Sequence, residues 1–85
     1  MSIENTLEER GKRYGDFYKH ALITQNIKHI MAKSSSWNNC TVDQKEALEM
    51  IAHKIGRIVN GDPNYKDSWT DIIGYARLIE SKLKD

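Results

Sequence analysis

Apolar residues recur at helical rather than alternating spacing through most of this chain, and the pattern breaks at its single proline, Pro63. A strand needs alternation, so the spacing predicts an all-α fold, a compact bundle of three or four helices. The 85 residues include no long linker-like stretch, which predicts one helical domain over 1–85. So short a chain buries a smaller share of its surface than a larger domain does, and self-association is expected to complete the core.

Local signals set the expected elements. Residues 1–12 read as a short helix around Ile3 and Leu7 or as a flexible lead, because Gly11 and Gly15 bracket Lys12-Arg13-Tyr14 and work against continuity into the next element. Asp16 is a natural cap for a helix over 16–33, with Phe17, Leu22, Ile23, Ile27, Ile30 and Met31 on its buried stripe. The stretch SSSWNNC, residues 34–40, reads as a loop. Thr41 and Gln44 match a capping box that opens a helix over 41–59, with Leu48, Ile51, Ala52, Ile55 and Val59 inside and a left-handed exit at Asn60-Gly61. After a turn through Pro63, Asp67 is placed to cap a helix over 67–84 that buries Trp69, Ile72, Ile73, Ala76, Ile79 and Leu83.

Charge and cysteine content narrow the function classes. Thirteen basic against twelve acidic residues leave +1, so no overall field draws the chain to nucleic acid or to an acidic membrane. Cys40 is the single cysteine, which excludes an intrachain disulfide and a cysteine zinc cluster and fits a reducing compartment. The opening MSIENTLEERGKR lacks the apolar core of a signal peptide, and no run of eighteen apolar residues occurs. A cytoplasmic protein away from membranes is expected.

The candidate chemistry lies on the second and third main helices. At about 100° per residue, Glu46, Glu49, His53 and Arg57 fall on one polar face opposite the apolar stripe. As plain structure this is a solvated face with an i,i+4 pair, Glu49 and His53. As a site, Glu46 with Glu49 would face Asp67 with Asp71, the converging carboxylates that Mg²⁺ requires, while Lys54 or Arg57 neutralises phosphate charge. Asp67 and Asp71 equally suit the positive end of a helix. His53 is the candidate base, although a histidine on a helix surface is more often only solvated. Trp37, on the serine-rich loop, is the candidate for base stacking, whereas Trp69 falls in the apolar stripe. His20 and His29 are too far apart to share a turn, and Cys40 lacks an activating context.

Two resemblances bear on these residues. Tyr14-Gly15-Asp16-Phe17, EALEMIAHKIGR at 46–57 and DSWTDIIGY at 67–75 resemble, in order and spacing, a short family of uncharacterised phage and prophage proteins, over residues 11–83. More distantly, KIGRI followed by DSWTDIIGYA is similar to the MazG-like all-α nucleoside triphosphate pyrophosphohydrolases. That likeness implies a helical bundle, dimeric or larger, with Mg²⁺ between two acidic motifs, here Glu46 with Glu49 and Asp67 with Asp71. The chain departs from the pattern at Lys45, where the first motif commonly has a second adjacent acid, and at Ser68, where the second motif would have a glutamate. Fewer carboxylates hold a metal less firmly, so binding can survive where hydrolysis does not.

The expected function is therefore binding of a nucleotide or nucleotide-derived phosphate, with Mg²⁺ the candidate cofactor and pyrophosphate release the candidate reaction. Two alternatives stand beside it: sequestration of a signalling nucleotide in counter-defence, and a helical module that binds a host protein.

Overall fold

The computed structural model describes residues 2–84, so the outermost residue at each end of the expected domain lies outside the described residues. The chain forms α1 (Ile3–Tyr14), α2 (Phe17–Lys33), a short 3-10 turn (Trp37–Asn39), α3 (Val42–Asn60) and α4 (Lys66–Glu80). No strand occurs among the described residues, and the fold is an all-α bundle.

Side-chain caps start three of the helices. Ser2 accepts from the Asn5 amide at 3.2 Å to open α1, and Asp16 accepts from the Lys19 amide at 3.1 Å to open α2. At α3 the Thr41 hydroxyl accepts from the Gln44 amide at 3.3 Å and the Gln44 side chain accepts from the Thr41 amide at 2.9 Å, a complete capping box.

Helix α4 starts differently from the expectation. Asp62 closes the turn early, its carboxylate accepting from the Asn64 amide at 2.9 Å and its carbonyl from the Tyr65 amide at 3.2 Å. Tyr65 thereby becomes the N-cap residue, without a side-chain capping bond. Asp67 sits inside the first turn, where its charge still complements the helix dipole. At the other end the amides of Lys82 and Leu83 turn back to carbonyls three residues earlier, and the helix stops at Glu80 instead of running to 84.

The expected left-handed exit from α3 is also absent: Gly61 has φ −131°, and the positive φ among the described residues belongs to Gly15, at 80°. Gly61 is needed for proximity instead. A Cβ there would lie 2.1 Å from the Arg13 carbonyl oxygen.

Helix α3 is the middle of the molecule, flanked by α2 and α4, with α1 packed across its C-terminal end. The result is elongated, 46 × 26 × 21 Å, with a radius of gyration of 14.7 Å against about 12 Å for a compact chain of this length. Ala47, Ala52 and Ile58 are the buried apolar residues, and His20, Thr24, Lys54 and Ser68 are buried with them. Much of the expected core is open to solvent. Phe17, Leu22, Ile30, Leu48, Ile55, Val59, Trp69, Ile73, Ala76 and Leu83 are exposed; on α3, with neighbours on two sides, Leu48, Ile55 and Val59 fall in a third apolar sector that nothing covers.

Candidate functional site

The corner between α1 and α2 is locked onto the end of α3. Asn60 donates from Nδ2 to the Tyr14 carbonyl at 2.9 Å and to the Asp16 carbonyl at 2.8 Å, straddling Gly15. The Asp62 amide donates to the Arg13 carbonyl at 2.7 Å. A side chain at Gly15 would place its Cβ 2.0 Å from the Asn60 carbonyl oxygen, so this seam is backbone against backbone. Aromatic and cationic groups surround it. Arg13 pairs with Glu9 at 2.5 Å and donates to the Tyr65 hydroxyl at 3.3 Å, and Tyr65 in turn donates to Asp67 at 3.1 Å. Arg57 lies over the Tyr14 ring, 4.1 Å from its centre.

Beside this corner is a cleft of about 380 Å³, within the size range of small-ligand sites. Leu7, Phe17 and Tyr14 give it an apolar and aromatic wall, while Arg10, Arg57, His20 and His53 supply the polar groups. Asp16 also borders it, its carboxylate engaged in capping α2. Among the described residues no carboxylate lies within ion-pair distance of Arg10 or Arg57.

The two histidines meet where α2 crosses α3. His20 Nε2 is 3.3 Å from His53 Nδ1, with the rings edge to face and their centres 4.6 Å apart. Such a contact holds one proton between two neutral rings. Gly56 makes it possible, since a Cβ there would meet Thr24 Cγ2 at 2.5 Å and the His20 ring at 3.0 Å. Burial holds His53 down to a pKa of about 4, with the positive charges of Arg57, Lys54 and Lys28 and the His20 ring adding to the effect. His20, only 5% exposed, is lowered chiefly by burial, and Arg57 and Lys28 add to it. Its Nδ1 faces the Gly56 backbone without a hydrogen bond of ordinary geometry, and that backbone opposes the shift. Both rings are therefore neutral near pH 7, and the fixed positive charge of the cleft comes from the arginines.

The candidate residues of the sequence divide between several places. Arg57 and His53 enter the cleft. Lys54 is buried and pairs with Asp71 at 2.9 Å, so each satisfies the other. Asp67 takes the Tyr65 hydroxyl. Glu46 borders a different groove, between α3 and α4, with Tyr75 and Lys82. Glu49 lies half-buried on α3, and Trp37 sits at the opposite end of α3 from Arg57, with Lys45 over its ring at 5.7 Å. No group of three or more His, Cys, Asp or Glu side chains among the described residues is arranged to hold a metal ion. Within one chain, Glu46, Glu49, Asp67 and Asp71 thus do not converge as a Mg²⁺ ligand set.

Arg10, His20, Leu7 and Phe17 complete the cleft and were not singled out as site residues from sequence. The available signal was Gly56, a glycine in mid-helix between Ile55 and Arg57, which marks a close approach by another element. A family described as a domain of unknown function, DUF6378, matches residues 3–82. The chain belongs to the DUF6378 family. No curated protein and no solved structure matches it. The DUF6378 match takes in all four helices, and with them every residue of the cleft. No helix among the described residues is long and apolar enough to cross a membrane.

Proposed function

We propose that the chain binds a nucleotide or nucleotide-derived phosphate in the cleft between α1, α2 and α3. One observation carries this reading: Arg10 and Arg57 border the cleft without a carboxylate partner among the described residues, beside the exposed apolar surface of Leu7 and Phe17. Guanidinium groups suit phosphate oxygens, which they meet in a bidentate fork, and an aromatic wall suits the flat face of a base. Stacking on Tyr14 orients Arg57 while leaving its donors available. The MazG-like resemblance also favours a nucleotide as the phosphate's carrier.

The separation of Glu46, Glu49, Asp67 and Asp71 supports binding over metal-assisted hydrolysis. Mg²⁺ enters this reading as an ion carried by the ligand's own phosphates. Sequestration of a signalling nucleotide, as in counter-defence, is the use that best suits a binding site without turnover.

The test is calorimetric titration and thermal stabilisation with nucleoside triphosphates, cyclic nucleotides and orthophosphate, each with and without Mg²⁺. A nucleotide that raises the melting midpoint should lose about tenfold to a hundredfold in affinity on Arg57→Ala, the effect of deleting a charge-assisted hydrogen bond. Assay of the same samples for pyrophosphate separates sequestration from turnover. Unchanged melting with every phosphate, or full affinity in Arg57→Ala, would overturn the reading.

A further inference from the structure

The side of the molecule away from the cleft carries a different message. Leu48, Ile51, Ile55 and Val59 span roughly 80° of α3 at about 100° per residue, between the sector that meets α4 and the sector that meets α2. His53 and Arg57 lie on the opposite side of the helix. No charged residue falls in this apolar sector over the length of α3. The surface continues onto α4, where Ala76, Ile79 and Leu83 form a groove with Leu48 and Ile51. By the same helical phase it continues onto α2 through Ile23, Ile27 and Ile30, opposite Phe17 and Lys28.

We infer that a second copy of this chain covers this face, α3 against α3 about a two-fold axis. The area argues for it. The chain exposes 6521 Å², against about 5,200 Å² for a folded monomer of 9.8 kDa. The surplus of about 1,300 Å² per protomer matches the obligate homodimer class, in which each partner gives up roughly 1,000 Å² or more. The chain's own interior points the same way, since Ala47, Ala52 and Ile58 are its buried apolar residues and no large side chain is fully buried among the described residues. A partner on which folding depends must be present wherever the chain is, and a second copy always is. The uncharged α3 stripe also meets its own image without like-charge repulsion, which a two-fold interface requires, and Glu80 at the border of the α4 groove is paired with Arg77. In that dimer the two clefts open outward, away from the interface.

Sedimentation equilibrium of the full chain is expected to give twice the 9.8 kDa chain mass, and the melting midpoint is expected to rise with protein concentration. Ile55→Ser should raise the dimer dissociation constant at least about tenfold, since the site occurs twice in the interface. Leu78→Ser, which removes an exposed leucine outside this surface, should leave the mass unchanged. Ile55→Glu is the stronger variant and should yield a monomer or an unfolded chain. A folded wild-type monomer whose midpoint ignores concentration would overturn the inference and hand the face to another partner. So would a dimer that Leu78→Ser weakens and Ile55→Ser does not.

Discussion

The interior of the helical layer and its cleft-distal face invert the usual placement of polarity. Inside lie His20, Thr24, Lys54 and Ser68, while Leu48, Ile55 and Val59 face solvent within one chain. The interior groups are held by particular contacts: imidazole to imidazole, ammonium to Asp71, a hydroxyl to a backbone carbonyl. Such contacts fix relative positions but contribute little net stability, because each replaces an interaction with water. The apolar face has the opposite character, with a large driving force and no positional demand until something covers it. The chain thus places its geometry at the α1–α2 corner and the helix crossings, and leaves much of its apolar surface uncovered on the opposite face.

The sharpest way to break this contrast is at the corner itself. Gly15→Ala forces a side chain onto a residue at φ 80° and drives its Cβ to 2.0 Å from the Asn60 carbonyl oxygen. Denaturant unfolding should show a loss of about 3 kcal/mol or more. Asn60→Ala, which removes two hydrogen bonds without adding a clash, should lose about 2 kcal/mol. If Gly15→Ala proves milder than Asn60→Ala, the backbone seam does not hold the cleft.

A second comparison sits within one ion pair. The Lys54 side chain is 11% exposed and that of Asp71 is 45% exposed. Asp71→Ala leaves a buried ammonium alone and should cost about 2 kcal/mol, below the figure for a fully buried pair because water reaches the Asp71 side. Lys54→Met leaves a carboxylate that can turn to water, and should cost less than about 1 kcal/mol. Equal losses, read from the same unfolding curves, would mean that the ammonium is not desolvated and that the interior is less polar in effect than in composition.

Much of the fold was legible because its signals are local. Asp16 and Thr41 with Gln44 announce helix starts through their own backbone neighbours, and the helical spacing on either side of Pro63 excludes strands. What misled was long-range. Asn60-Gly61 looks like a left-handed exit, but Gly61 is selected by Arg13 and Tyr14, far away in sequence. The apolar stripes announce that a surface is to be covered without saying by what, so residues such as Val59 and Ile73 read as core and stand exposed in the single chain. At the site, Arg57 and His53 stood out on one helix face. Their partners Arg10 and His20 come from other helices, and only the crossing at Gly56 and the corner at Gly15 bring them together.

The smallest expected effect concerns the histidine contact, the most polar point of the interior. His53 is held down to a pKa of about 4 by burial first, and then by Arg57, His20, Lys54 and Lys28 around it. A histidine in the unfolded chain titrates near 6.5, so between about pH 6.5 and pH 4 the unfolded state takes up a proton that the folded state refuses. This contribution is complete above pH 6.5 and is lost as the pH falls through about 4. The melting midpoint should therefore drop across that window. Carboxylates contribute a drop of their own at the acid end, so the informative quantity is a difference: His53→Gln should flatten the profile between about pH 6.5 and pH 4 and leave it nearly unchanged below that. Following the His53 ring protons by NMR gives the direct check, with a midpoint below pH 5 expected. A midpoint near 6.5 would mean that the ring meets water freely, and the His20–His53 contact would then belong to the open cleft rather than to the interior.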